Sequence, residues 1–438
     1  MNADYQELQG MIDTAVATDG IVYVNRNYTI DKPLVAAKWN SGSENYDTTT
    51  IKIVGKATMW DSGRNSVVTA TFKDAPILST YRHKGSLIDG INFQGGYRTP
   101  VMTDEQFFNA DFATYGDKTC RDSPYSPYAS VAFDAFASTV PADGGYPGLT
   151  SYYRGKGSGG STGCVINNCT VNNTTAGIVL SPSGLTANNE LHTFSNIRSY
   201  HTKALFVGGQ AQEKSNRLIN VNCWGRCHTV LQFGGYGTGT PGLYFVDGMQ
   251  IAGGVNRLIN RTSGWYYPIH LNNVFAESLG SIGQWQTELT DKMSNSVIHF
   301  QYSSITKSYP SKGHVYGGGV TFENCVLRYY GQPTLPLFFS GNYTFSGKNV
   351  VDQPIITGKR ATDVRTDYKM TNLGATSTNQ IPASAGILPV GTNIAFCDTN
   401  SYPYYGVATI GADGVTMVNI PKDIIPGKSY AIFKKTNL

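Results

Sequence analysis

Ile166-Asn167-Asn168-Cys169, Phe194-Ser195-Asn196-Ile197, Leu218-Ile219-Asn220-Val221, Phe245-Val246-Asp247-Gly248, Leu271-Asn272-Asn273-Val274 and Phe322-Glu323-Asn324-Cys325 repeat one short pattern. Each brings an Asn or Asp after an apolar start, then a second apolar strand or a turn. The marked positions step by roughly 24 to 28 residues, and the last step is about twice that. Val297-Ile298-His299-Phe300 supplies the missing rung. A fixed period in the twenties marks a solenoid. Leucine-rich repeats share the period, but the Leu pattern they need is absent. β-branched and aromatic residues, Gly turns and recurrent Asn point to a parallel β-helix over residues 165–345. Each coil then holds three short strands and buries its inner face only by stacking on its neighbours.

The rest of the composition agrees. With 438 residues, the chain can hold a solenoid of about ten coils plus caps. Charged residues make up only 15%, while Gly reaches 49 and Tyr 28, which suits strands broken by turns at short intervals. Such a surface offers aromatic faces and amides rather than ions. The formal charge of +4 comes with no basic cluster or stripe, which argues against nucleic acid. No apolar run approaches membrane-spanning length, so membrane insertion is not expected. The opening Met1-Asn2-Ala3-Asp4-Tyr5 shows no basic and apolar leader, so no signal peptide is expected. Seven cysteines are an odd number without a secretory context, which argues against a disulfide framework. Cys169, Cys223 and Cys325 each follow an Asn and read as small apolar residues inside the solenoid. Cys223-x-x-x-Cys227-His228 lacks a second ligand pair at a usable spacing, so no metal or other cofactor is expected.

Residues 4–17 predict an amphipathic helix, with Tyr5, Leu8, Met11, Ile12, Ala15 and Val16 on one face. Asp4 and Glu7 have capping-box spacing, with Asp4 as the cap. Asp19-Gly20 stops the helix. Ile21-Val22-Tyr23-Val24, Tyr28-Thr29-Ile30 and Thr49-Thr50-Ile51-Lys52-Ile53-Val54-Gly55 read as strands, and Gly85-Ser86-Leu87-Ile88-Asp89-Gly90-Ile91-Asn92-Phe93 as a first full rung. This order of helix, Gly-Ile-Val-Tyr-Val, Tyr-Thr-Ile, Pro-Leu and Thr-Ile-Lys-Ile-Val-Gly resembles the N-terminal cap of the pectate-lyase-like superfamily. The resemblance covers about the first 95 residues, and the rung pattern covers 165–350. It implies a right-handed parallel β-helix whose open end is plugged by the helix. Such openings are common in bacteriophage tailspikes and in polysaccharide lyases and hydrolases, so the resemblance specifies the fold and leaves the activity open.

The expected class is therefore all-β: a right-handed parallel β-helix with an N-terminal capping helix and a small C-terminal antiparallel β domain. Residues 1–95 form the cap and first coils, 96–163 an aromatic-rich insertion, 164–360 the coils and 361–438 the C-terminal module. The insertion breaks the period with many Tyr and Phe, and reads as a folded excursion walling a groove or a subunit contact. Residues 346–374 look transitional. In the C-terminal module, strands around 391–396, 406–410, 415–418 and 430–433 are separated by Gly, Pro and Asp turns, and the Asn-marked rungs do not recur.

Chemistry is sparser. Hydrolases of this fold use clustered Asp carboxylates, and none of the tight clusters is present. Asp247 occupies an Asn slot and reads as a ladder residue. Lyases need a base and a cation that neutralises the sugar carboxylate. Counting from the rung markers puts His201, Arg226, His228 and Glu277 near the same turn of successive coils, as candidate acid–base residues on an acidic sugar. Trp224, Trp265, Tyr266 and Trp285 recur along the same region as candidate sugar-stacking faces. A solvated turn for the first group and core or subunit contacts for the aromatics are the plainer alternatives.

Three readings follow. The first is a bacteriophage tailspike or tail-fibre protein in the virion, recognising a bacterial surface polysaccharide and, in its enzymatic form, depolymerising it. The resemblance implies a homotrimer with contacts to other tail proteins. The second is a secreted bacterial polysaccharide lyase or glycoside hydrolase. The third is a non-catalytic structural or adhesive virion protein, which the sparse carboxylates keep open.

Overall fold

The computed structural model describes residues 2–43, 45–60, 65–72, 76–95, 131–134, 160–174, 176–180, 189–208, 215–233, 244–261, 268–285, 291–300, 315–329, 337–351, 355–357, 367–369, 380, 387–398, 404–422, 424 and 429–436. One helix, Ala3–Thr18, precedes the strands. It buries Tyr5, Leu8, Ile12, Ala15 and Val16, the face that the sequence marks. The cap differs from expectation. Asn2 is the N-cap, accepting from the Asp4 backbone N–H at 2.9 Å. The Asp4 carboxylate turns instead to the first coil, where it accepts from the Thr29 backbone at 2.8 Å and pairs with Arg26 at 2.9 Å. Glu7 pairs with the same guanidinium at 2.6 Å and accepts from the Tyr28 hydroxyl at 3.0 Å. The helix is thus tied to the turn and strand of the first coil. Asp19, with φ of 50°, ends it in the left-handed conformation.

Behind the helix, the strands form a parallel β-solenoid. Its register can be followed residue by residue. Val22, Ile53, Ile88, Ile166, Phe194, Leu218, Val246, Leu271, Met293, Phe322 and Phe345 pair in sequence, one per coil. All but Phe345, which packs against the core partly buried, are buried. A second inward line runs Val68, Phe93, Val171, Ser199, Cys223, Ile251, Ala276, Ile298 and Leu327. A third face carries Ile178, Phe206, Leu231 and Ile259. Three strands per coil thus turn three apolar lines onto one core, and alternation sends the intervening side chains outward. Cys164, Cys169, Cys223, Cys227 and Cys325 are free thiols inside it, and burial pushes the Cys169 thiol up to about 12.

The repeated Asn has a backbone cause. Asn168, Asn196, Asn220, Asn273, Asn295 and Asn324 have φ between 49° and 54°, and Gly90, Gly248 and Gly347 hold the equivalent corner in their coils. Each coil turns here through the left-handed region, where Gly and Asn carry the smallest penalty. The side-chain amides then bond along the stack. Asn167 donates to Asp89 at 2.9 Å, Asn196 to Asn167 at 2.9 Å and Asn220 to Asn196 at 2.6 Å. Asn272 and Asn273 donate to Asp247 at 2.9 and 2.8 Å, and Asn295 to Asn272 at 2.9 Å. Asp247 is therefore a ladder residue, as its slot indicates, although the left-handed position itself belongs to Gly248.

A line of buried polar groups runs along another corner. The His83 Nε2 lies 2.9 Å from the Ala36 carbonyl and its Nδ1 2.8 Å from the Ser86 hydroxyl. A carbonyl only accepts, so Nε2 carries the proton and Nδ1 accepts from Ser86. His192 Nδ1 accepts from the Cys164 backbone at 3.1 Å, and the His192 backbone N–H donates to Asn216 at 2.9 Å. Burial holds both imidazoles down at about 4, and for His192 the neighbouring His83 adds to the effect.

Val131–Asp134, within the stretch read as an insertion, pairs in parallel with Leu78–Tyr81 and Ala176–Leu180 and so supplies one coil's strand. The aromatic remainder of that stretch lies outside the described residues. Residues read as transitional carry the last coils: Val350–Val351 and Ile355–Thr357 both pair in parallel with the preceding coil. Ile355–Thr357 also pairs antiparallel with Ser429–Thr436. That strand pairs with Asn393–Asp398, which pairs with Tyr404–Ile410. The small antiparallel sheet has its own core of Ile394, Phe396, Ala408, Ile410, Met417 and Ile424. It covers hydrogen-bonding groups that the last coil would otherwise present as an open edge.

Two outcomes test these forces. Asn220→Ala should cost about 2 kcal/mol, roughly half from left-handed strain and half from the lost amide bond. Asn220→Gly should cost about half as much, and equal losses in urea denaturation would show that backbone conformation does not select Asn here. Separately, stability should fall as pH drops from 6.5 towards 4. In that window the unfolded chain binds protons that the buried His83 and His192 refuse, so the contribution is complete above 6.5 and lost towards the folded value. The upper bound is roughly 3 kcal/mol per histidine. Denaturation midpoints at pH 7 and 4.5 should converge in a His83→Gln/His192→Gln variant relative to the unmodified chain.

Candidate functional site

On the second strand of each coil, the residues flanking the inward position form two outer rows. One row runs Asn92, Thr170, Arg198, Asn222, Gln250, Phe275 and Val297. Neighbouring side chains cover Asn92, Thr170 and Asn222 in it. The other row runs Gln94, Asn172, Tyr200, Trp224 and Ala252, with Glu277, His299 and Arg328 continuing it. Glu277 follows Ala276 and His299 follows Ile298, and Ala276 and Ile298 are themselves paired. Coils are spaced by about 4.8 Å, so residues some 25 apart in sequence become side-by-side neighbours.

Exposed aromatics mark this face. Tyr200 and Trp224 are each 43% exposed and Phe275 is 39% exposed. Trp60, at 59%, joins them from the N-terminal coils. The preceding Met59 is buried, and the Asn220 amide lies 3.6 Å from its sulfur. That anchor sets Trp60 beside Arg198. The half-buried Arg198 guanidinium lies over the Trp224 ring at 4.3 Å and over the Trp60 ring at 5.5 Å. Among the described residues, no carboxylate pairs with it and no acceptor takes its N–H groups. Asn222, one coil on, donates to Gln250 at 2.9 Å. Gly225 keeps the arrangement open: its φ is 80°, and a Cβ there would stand 2.7 Å from the Tyr200 ring.

Further along, Glu277, His299 and Arg328 bring a carboxylate, an imidazole and a guanidinium together. Glu277 is exposed, while His299 and Arg328 are half-buried. The His299 ring stands edge-on to Phe275 at 5.9 Å. Burial lowers the His299 value below 6.5, the Arg328 charge lowers it further, and the Glu277 charge opposes both.

The acid–base residues expected from sequence do not assemble as one cluster. His201, with φ of 53°, takes a left-handed corner that Asn173, Gly225 and Gly253 hold in other coils. Its ring stands edge-on to Tyr200 at 4.0 Å. His228 is only 4% exposed, with Nδ1 at 2.9 Å from the Thr229 hydroxyl. Burial takes it off the solvent-facing turn where counting placed it. Arg226 lies in the strand Asn216–Phe233, but its side chain is outside the described residues. Glu277 stands two coils from Trp224, beside His299 instead. Of the stacking candidates, Trp224 faces solvent. Trp285 ends the strand Ile269–Trp285 with its side chain outside the described residues, and Trp265 and Tyr266 lie outside them altogether. Sequence reading missed Trp60, Arg198, Tyr200, His299 and Arg328. Alternation within the rungs could have found the last four.

Fold and face together define a parallel β-solenoid with an aromatic and amide-rich strip across its coils. No protein-family profile and no curated protein matches the sequence. Among solved structures, the chain is similar to the Dettilon tailspike protein, with 13% identity and a TM-score of 0.43, over 77% of this chain and 64% of that one. It is similar to tailspike protein 2 from the Escherichia coli O157:H7 bacteriophage CAB120, with 10% identity and a TM-score of 0.33, over 98% of this chain and 60% of that one. It is also similar to an Acinetobacter phage tailspike protein, with 10% identity and a TM-score of 0.35, over 100% of this chain and 82% of that one. Similarities this low carry no argument about activity.

The electrostatics of the second cluster have signed consequences. Glu277→Gln should lower the His299 value, because a charge favouring the imidazolium is removed. Arg328→Gln should raise it. NMR titration of labelled histidine, assigned with a His299→Asn variant, checks both directions.

Proposed function

We propose that this chain is a tailspike-type virion protein that recognises a bacterial surface polysaccharide along the outward strip of its solenoid. The observation that carries the reading is the strip itself: Tyr200, Trp224 and Phe275 exposed in successive or near-successive coils, among the amides of Asn172 and Gln250. Aromatic faces stack on the apolar faces of sugar rings while amides meet hydroxyls, and a repeat of about 4.8 Å per coil suits an extended polymer. The virion assignment extends the resemblance of the N-terminal cap to tailspikes. Under it, the protein assembles as a homotrimer and docks on other tail proteins.

Depolymerisation is the second reading, favoured by Glu277, His299 and Arg328 in consecutive coils. An imidazole with a lowered value is neutral at pH 7 and able to accept a proton. A guanidinium one coil away can hold an anionic sugar group, and the imidazolium formed, favoured by the Glu277 carboxylate, can return its proton to the leaving oxygen. In the alternative secreted-enzyme reading the same residues act in a monomer. In the adhesive reading they only bind.

The test combines solution mass by light scattering with binding to capsular polysaccharides from a broad panel of hosts. A trimer that binds one polymer is the expected result. Trp224→Ala should weaken that binding about tenfold without lowering the melting temperature, since an exposed side chain contributes little to stability. Shortening of the polymer with rising absorbance of an unsaturated sugar would mark elimination. A monomer that cleaves would favour the secreted enzyme, and no binding across the panel would sink the reading.

A further inference from the structure

Arg198 is a cation of the strip that no carboxylate pairs with among the described residues. It is half-buried, so its guanidinium has lost part of its hydration. Among the described residues, its guanidinium lies over two indole faces, Trp224 at 4.3 Å and Trp60 at 5.5 Å. These faces hold the cation by its π-facing side and make no demand on its N–H groups. A guanidinium fixed in this way keeps its donors for something outside the protein. Its planar fork matches an oxyanion in bidentate fashion, which an ammonium would not. Both tryptophans are about half exposed, so a ring brought in by the anion meets an apolar face at once.

Resting on the polysaccharide reading above, we infer that Trp60, Arg198 and Trp224 form a subsite for an acidic sugar residue, its carboxylate on Arg198 and its ring against an indole. The recognised polymer is thereby an acidic one. Trp60 reaches the subsite from the N-terminal coils, so the specificity element joins two parts of the chain far apart in sequence. Phosphate shares the oxyanion chemistry, and the test separates it from carboxylate.

The experiment uses the full chain and a panel of purified capsular polysaccharides, both uronate-bearing and neutral, with phosphate-bearing polymers included. Each polymer that binds is also tested after chemical reduction of its carboxylates to hydroxymethyl groups, which removes the charge and keeps the sugar. A charge-assisted contact is worth roughly 10- to 100-fold in affinity. The expected result is a loss of that size on reduction for the unmodified protein. Arg198→Gln should bind native and reduced polymer with the same low affinity. Trp60→Ala, which leaves the charge in place, should lose affinity for both forms and keep the preference for the acidic one. A bound phosphate polymer that loses affinity when its phosphate is removed keeps the acidic-sugar assignment and replaces carboxylate by phosphate. Binding of neutral polymers alone, binding that survives reduction, or an Arg198→Gln variant equal to the unmodified chain would overturn the inference while leaving polysaccharide recognition intact. Binding to nothing in the panel would overturn both.

Discussion

The left-handed corner is the constraint on which the structure depends. A parallel coil must turn sharply and return to the same height in every repeat, and a corner residue with positive φ accomplishes this in one step. Ordinary side chains resist that conformation. The chain answers with Asn in most coils and Gly at positions 90, 248 and 347. Asn adds something that Gly cannot: an amide that bonds to the coil before it. Register, once fixed at the corner, delivers the apolar line from Val22 to Phe345 into the core and the intervening residues to solvent.

This is why the fold was legible from sequence and much of the site was not. Period, Asn marker and inward residues are local properties, visible in each rung without knowledge of the next. The capping helix was legible for the same reason, while its capping residue was not: Asn2 and Asp4 both suit the role, and only the position of Arg26 and the Thr29 backbone decides between them. A site that spans coils depends on register to the residue. Counting from the Asn marker placed His201 and His228 on one turn. Left-handed corners and bulges, such as the shift between Tyr200 and Thr202, alter that count, leaving one histidine in a corner and the other buried. Trp60 was beyond reach altogether, because nothing in its neighbourhood announces that Met59 will anchor near Asn220.

The two clusters on the strip differ in character. Around Arg198, aromatic surface dominates, and among the described residues no carboxylate pairs with the charge. Around His299, charges of both signs surround a titratable ring. Roughly 24 Å of stacked strands separate Arg198 from the coil of Arg328. Alternation alone creates this arrangement, since every outward position lies on a common surface whatever its distance in sequence.

The corner amides also have a direction. Those of Asn168, Asn196, Asn220, Asn273 and Asn295 donate to the preceding coil, and the run through Asn220, Asn196 and Asn167 ends on the carboxylate of Asp89, which accepts only. A second run, through Asn272 and Asn295, ends likewise on Asp247. Asp247 has no amide hydrogen to hand on to Asn220, so the polar spine comes in two lengths with a seam between them. At that seam the side-chain links are carried instead by Asn222 with Gln250 and by the buried Asn260, whose amide donates to Gln232 at 2.8 Å. A one-dimensional stack parts where its nearest-neighbour coupling is weakest. Between these two runs the corner coupling is missing, and the backbone ladder with the amide pairs Asn222–Gln250 and Asn260–Gln232 holds the coils together.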